Sequence, residues 1–187
     1  MAEYTSRSFD LLTLGQLLLR LSPPDNDRLS RGDTFCKAGR RSRIKRGGRC
    51  FLAGTCTGVI SKLPSHDIGS FMKGKIRSFG VSDDFFMYDD SPSARVGIYY
   101  YENGAYPRKP KVIYDRMNSS FFSLNIDEIP KEVYTASKCF HTTGITLALS
   151  PQIRETTIEM IKRFKEAGTL VSFDVNFRGN LWSGDEA

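Results

Sequence analysis

The chain has 187 residues, 40% hydrophobic and 12% aromatic, a composition that excludes a disordered polypeptide and suffices for one folded domain or part of a larger one. No apolar run reaches the roughly 18 residues of a transmembrane helix, and the N-terminus lacks the order of a signal peptide, so we expect a cytoplasmic protein without membrane contact. The net charge of +6 comes from 27 Lys and Arg against 21 Asp and Glu, and residues 40–49 alone hold six uncompensated basic side chains.

The first part of the chain predicts two strands, then a further strand and a helix. The stretch FDLLTLGQLLLRLSPP, residues 9–24, reads as two apolar strand-like pieces separated by Gly15 and ended by prolines. After the basic residues, TGVISKLPSHD predicts a buried strand ending at a turn. The next segment predicts a helix that stops near Gly80, because its apolar residues recur at helical spacing: Ile68, Met72, Ile76 and Phe79.

The middle of the chain predicts a β-hairpin. Two runs rich in aromatic and β-branched residues, 95–101 and 111–116, flank a connection that contains glycine and proline. Such a hairpin is expected to extend from the main sheet.

The last part of the chain predicts a strand, a helix and a second strand. KCFHTTGITLAL, residues 138–149, reads as the first strand, and TLVSFDVNFR as the second. Ser150 is a helix cap, Pro151 takes the first helical position and Gly168 follows the helix end. A strand–helix–strand order without a hairpin turn predicts a right-handed parallel crossover and therefore an α/β sheet. The residues from Trp182 onward predict the start of another helix, so we expect the natural sequence to continue.

Polar residues follow the final strand. Asp174, Asn176 and Arg178 lie where a parallel sheet binds its ligands, at the carboxyl end of a strand, although three polar groups there could merely close a loop. We expect no metal site, because the four cysteines form no C-x-x-C pair and only His66 and His141 are present. His141 is interpreted as structural.

The sequence DVNFRGNLW carries a specific resemblance. A D-x-N-x-R pattern followed by L-W at the end of a strand resembles the ribokinase-like, or PfkB, family of ATP-dependent sugar kinases, within it the 2-dehydro-3-deoxygluconokinase group. GIYYYE, VIYDRMNSS and HTTGITLALS support the same resemblance, as does the opening stretch. It covers nearly the whole chain outside the basic residues, but only the N-terminal part of a family member.

The resemblance implies a ribokinase-like, doubly wound and mostly parallel sheet with a small β-lid, whose strands fall around residues 94–116. It also implies ATP and Mg²⁺ as cofactors, 2-keto-3-deoxygluconate or a related sugar acid as substrate, and a homodimer through the lid in intact relatives. A sugar acid needs hydroxyl partners and a planar guanidinium for its carboxylate. The implied substrate contacts are Gly39, Tyr99, Tyr114, Arg116 and Arg178, with Asp174 and Asn176 as a polar motif at the strand end.

Two alternatives remain open for these residues and for the activity. Tyr99 could be a half-buried strand aromatic, and Arg116 a solvated strand residue. The family's catalytic aspartate lies in a G-A-G-D motif of the C-terminal half, which also supplies most of the ATP site, and no G-A-G-D occurs here. The alternative to an active kinase is therefore a truncated, non-catalytic part of one.

The basic segment, residues 39–56, departs from the family pattern. Family members have a stretch like A-G-G-A-E-L-N-V-A-x-G-V-S-L-L-G at this place. Arginine, glycine and cysteine codons carry G in their second position, so a one-base shift of GRRSRIKRGGRCFLAGT permits AGGAELNVAAGVSLLGL. We expect a compensated frameshift or a sequencing error. The competing hypothesis is a nucleic-acid-binding strip, which the clustered basic residues favour, but the sequence shows neither interleaved aromatics nor a recognisable binding motif there.

Overall fold

Two β-sheets and their covering helices make up the part of the chain that the computed structural model describes, residues 7–39 and 54–184. In chain order the elements are β1 (Phe9–Leu14), β2 (Leu18–Ser22), β3 (Cys36–Gly39), β4 (Thr57–Pro64), α1 (Asp67–Arg77), β5 (Phe86–Asp89), β6 (Gly97–Glu102), β7 (Lys111–Asp115), β8 (Ser137–Thr143), α2 (Gly144–Leu147), α3 (Pro151–Glu166) and β9 (Leu170–Asp174).

The first sheet is parallel throughout and has the order β5-β4-β1-β8-β9. β1 lies at its centre, with Leu11 opposite Thr57 on one side and Cys139 on the other. All eight residues of β4 are buried, as expected for a parallel strand that is covered on both faces. The predicted parallel α/β sheet is therefore confirmed.

The second sheet has the order β3-β2-β6-β7. The predicted hairpin is present, since β6 runs antiparallel to β7 with Ile98 opposite Asp115. It does not extend from the main sheet, however, because β6 pairs in parallel with β2. The chain leaves the first sheet after Leu14 and enters the second at Leu18, so the two apolar pieces of the opening stretch belong to different sheets.

The crossover from β8 through α3 to β9 matches its sequence signals. Ser150 Oγ accepts a hydrogen bond from Ile153 N at 3.2 Å, and Gly168 has a φ of +71° after the helix end. Inside the helix, Ile153, Thr157 and Phe164 are buried. The predicted strand 138–149 is too long: β8 ends at Thr143 and the short helix α2 follows, where the backbone of Gly144 lies close to the carbonyl of Val175.

Helix α1 covers the other side of the first sheet. Met72 and Ile76 are fully buried and pack with residues of β4, whereas Ile68 of the predicted apolar face is 37% exposed. Gly80 has a φ of +71°, which fits its predicted place after the helix.

An ion-pair group joins α1 to the loop before β5. Asp83 is 8% exposed and accepts a hydrogen bond from Arg77 Nε at 2.7 Å, with Lys73 Nζ 3.2 Å from its other oxygen. Burial raises the pKa of Asp83, but the hydrogen bonds from Arg77 and Lys73 outweigh it and hold the pKa below the ordinary value of 3.8. The ionised carboxylate therefore stabilises the folded state.

We expect Asp83→Asn to lower the free energy of unfolding by about 2 kcal/mol at neutral pH, since it removes hydrogen bonds to a charged acceptor. A carboxyl whose pKa is depressed by folding contributes its stability above the unfolded pKa and loses it as the pH falls through the folded one. The difference from the wild type should thus shrink below pH 3.8. Urea unfolding across acidic pH measures it, with the exposed neighbour Asp84→Asn as control; a difference that stays constant with pH would contradict the expectation.

No helix within the described residues is long and apolar enough to cross a membrane. Residues 40–53, which hold most of the basic segment, lie outside the described residues, so the frameshift stays a prediction.

Candidate functional site

A cavity of about 450 Å³ lies between the two sheets. The first sheet contributes residues at the carboxyl ends of β1 and β8 and after β9, which is where parallel sheets bind ligands. The second sheet contributes the start of β2 and the end of β7. The described lining residues are Thr13, Leu14, Gln16, Leu17, Leu18, Tyr114, Arg116, Met117, His141, Thr143, Ile145, Asn176, Arg178, Asn180 and Leu181.

The lining is cationic and hydrogen-bonding. It includes two guanidinium groups, those of Arg116 and Arg178, and no Asp or Glu among the residues that the structure describes. Thr13 also lines the cavity, and its buried hydroxyl has no hydrogen-bond partner within the described part of the chain. Such a lining suits a small polar anion.

The wall from the second sheet is built on three predicted residues. Arg116 directly follows β7, and its guanidinium carbon lies 5.8 Å from the centre of the Tyr114 ring. Tyr114 is 43% exposed and stacks on Tyr99, with ring centres 6.0 Å apart and an interplanar angle of 28°. Tyr99 itself is buried and does not line the cavity. Tyr99 therefore packs against the Tyr114 ring without lining the cavity itself.

The wall from the first sheet follows β9. Asp174 Oδ1 accepts a hydrogen bond from Asn176 N at 3.1 Å, and Asn176 has a φ of +41°, a left-handed conformation that asparagine tolerates. This turn brings Asn176 and Arg178 to the cavity, while Asp174 is not among the described lining residues. Asp174 shapes the turn, and the other two residues face the space where a ligand fits.

Three further residues, Gly39, His141 and Gln16, differ in how they lie relative to the cavity. Gly39 ends β3 opposite Leu19 and is not among the described lining residues. His141, interpreted as structural, lines the cavity, with its Nδ1 3.0 Å from Ser172 Oγ. Gln16 was not predicted at all, yet its side-chain amide contacts Arg116. A single amide inside the apolar run TLGQLLL was the only sequence signal for it.

A doubly wound sheet, a small second sheet beside its carboxyl edge and an anion-suited cavity between them are the architecture that a ribokinase-like carbohydrate kinase requires. No protein-family model matches the chain. It is 37% identical to the 2-dehydro-3-deoxygalactonokinase of Haloferax volcanii over 95% of this chain and 55% of that protein.

Solved structures show the same relationship. The 2-dehydro-3-deoxygluconokinase of Thermotoga maritima superposes with a TM-score of 0.88 and 30% identity, over 95% of this chain and 54% of that one. A PfkB family carbohydrate kinase from Listeria grayi superposes with a TM-score of 0.83 and 26% identity, over 95% of this chain and 55% of that one. The resemblance to the ribokinase-like, or PfkB, carbohydrate kinases is thus confirmed, and the chain spans about half the length of the relatives it matches.

Proposed function

We propose that this chain supplies the sugar-acid-binding part of an ATP-dependent carbohydrate kinase, with 2-keto-3-deoxygluconate or a closely related sugar acid as substrate. The observation that carries the proposal is that Arg116, which follows β7 of the second sheet, and Arg178, which follows β9 of the first, line one cavity without a described carboxylate. The names of the Haloferax and Thermotoga relatives support a deoxy sugar acid over a neutral sugar.

The cavity residues have distinct roles in this proposal. One of the two guanidinium groups binds the ligand's carboxylate through two parallel hydrogen bonds, and the other guanidinium adds positive charge to the cavity. Thr13, Thr143 and Asn176 offer hydroxyl and amide groups to the sugar hydroxyls. Tyr114 covers the ligand with its ring. These contacts bind and orient the sugar acid so that one hydroxyl is presented for phosphoryl transfer.

The cofactor part of the reaction follows from the family alone. Within residues 7–39 and 54–184, no group of three or more His, Cys, Asp or Glu side chains is placed to hold a metal ion. We therefore assign no described residue to Mg²⁺ and derive no step through Mg²⁺ or ATP. The competing form of the proposal is a chain that binds the sugar acid without turning over ATP. Release of ADP by the purified 187-residue chain would decide against that form.

We expect Arg116→Ala and Arg178→Ala each to weaken binding of 2-keto-3-deoxygluconate by roughly tenfold or more, because each removes charge-assisted hydrogen bonds. Calorimetric titration of the purified chain measures this affinity. Arg163→Ala is the matched control, since Arg163 pairs with Glu159 on α3 and does not line the cavity. Equal affinity in all four proteins, or no binding by the wild type, would refute the proposal.

Two further parts of the proposal concern the whole protein. We propose a cytoplasmic location and, in a full-length relative, a homodimer formed through the second sheet. The outer strand β7 supports the latter, because all five of its residues are exposed and they include Val112 and Ile113.

A further inference from the structure

A buried amide links the two sheets at the cavity. Gln16 is 6% exposed and lies in the short connection from β1 to β2. Its Nε2 donates hydrogen bonds to Arg116 O at 3.0 Å and to Ser119 Oγ at 2.7 Å, and its Oε1 accepts one from Arg116 Nε at 2.8 Å. Both ends of the amide are thus used, and two of the three bonds go to Arg116.

Gly97 leaves open the space that this amide occupies. A Cβ atom on Gly97 would lie 2.8 Å from Gln16 Nε2 and 2.7 Å from Leu18 Cδ2. Because Gly97 has no side chain, Gln16 can extend across Gly97 and reach the residue that follows β7. The arrangement fixes the Arg116 backbone and side chain together.

We propose that Gln16 is a positioning residue, which holds the Arg116 guanidinium for the carboxylate of the ligand and makes the cavity prefer sugar acids over neutral sugars. This inference rests on the proposed function. The contact engages Nε and leaves the two terminal nitrogens of Arg116 out of the bond with Gln16. Those two nitrogens form the fork that chelates a carboxylate.

The neutral charge of the amide is central to this role. Glutamate at this position would still accept the bond from Arg116 Nε, but it would have no proton to donate to Arg116 O or Ser119 Oγ. It would also place a full negative charge beside the guanidinium, within a few ångströms of a bound carboxylate. Glutamate would therefore weaken the binding of an acidic ligand more than that of a neutral one, while the shape of the cavity stays nearly the same.

The test compares Gln16→Glu with Gln152→Glu. The two substitutions make the same chemical change, but Gln152 is exposed on α3, away from the cavity. We expect Gln16→Glu to weaken binding of 2-keto-3-deoxygluconate by roughly tenfold or more and to leave binding of the neutral ketose fructose within about twofold. Gln152→Glu should leave both affinities unchanged. Equal loss for both sugars, or no loss for the acid, would overturn the selectivity role.

A second measurement tests the positioning without any ligand. We expect the Nε proton of Arg116 to give a slowly exchanging NMR signal in the wild type, and Gln16→Leu to abolish that protection. An unchanged signal in Gln16→Leu would overturn the inference even if sugar acids bind. Conversely, if the wild type binds no sugar acid while the signal depends on Gln16, the proposed function fails and the contact between Gln16 and Arg116 stands.

Discussion

Replacing Phe164 with alanine is expected to remove a large share of the free energy of unfolding. Phe164 is fully buried in α3 and stacks on Phe140 of β8, with ring centres 4.1 Å apart and an interplanar angle of 11°. The Phe164 ring also makes an edge-on contact with the Tyr134 ring, with ring centres 5.1 Å apart. Removing a buried aromatic ring leaves a cavity and costs about 3–5 kcal/mol, a large share of the roughly 5–15 kcal/mol that stabilises a typical domain.

Urea unfolding followed by circular dichroism measures this loss as a lower midpoint. Phe173→Ala is the matched control, because Phe173 of β9 is 46% exposed and its removal opens no enclosed cavity. We expect it to change the free energy of unfolding by less than about 1 kcal/mol. An equal shift in the two variants would show that the contact between α3 and the first sheet is not the main source of stability.

Gly144→Ala is expected to disable the cavity without removing any lining residue. An added Cβ atom would lie 2.1 Å from Val175 O and 3.2 Å from Trp182 Cζ2. The first distance is far inside van der Waals contact with a backbone atom, so the segment after β9 must move away from α2. That segment carries Asn176 and Arg178. We expect a loss of about 1–3 kcal/mol in stability and loss of most affinity for 2-keto-3-deoxygluconate.

Gly74→Ala separates this clash from the general effect of adding a methyl group. Gly74 is exposed inside α1, where an added Cβ atom would meet nothing within 4 Å. Alanine there should stabilise the helix by about 0.5–1 kcal/mol and leave ligand affinity unchanged. Calorimetric titration and thermal unfolding of both variants provide the comparison. Unaltered ligand binding in Gly144→Ala would show that the loop after β9 does not position Asn176 and Arg178.

The local parts of the fold were predictable because their signals are local. The cap at Ser150, the proline after it and Gly168 all act at the ends of one helix and are confirmed. The hairpin was also predicted. The strand predicted over 138–149 is too long because GITLAL is as apolar as a strand, and the close approach of Gly144 to the distant Val175 is not visible in the sequence.

Other features depend on contacts between distant residues, which one sequence does not display. Apolar periodicity predicts β2 but not the sheet it joins, and β3 and β5 have only four residues each. Four predicted site residues line one cavity: Tyr114, Arg116, Asn176 and Arg178. Gln16 escaped prediction because its partner Arg116 lies 100 residues away along the chain.

The central place of β1 determines the order in which this molecule can be completed. Asp10 bonds to Cys56 N, 46 residues later, and to Lys138 Nζ, 128 residues later, each at 2.7 Å. The hydrogen bond from Lys138, followed by that from Cys56, lowers the pKa of Asp10. During synthesis, β1 leaves the ribosome before both of the strands that pair with it, and its second side stays unpaired until β8 has also emerged. Pairings of such long sequence separation make folding slow and leave apolar β1 unprotected meanwhile.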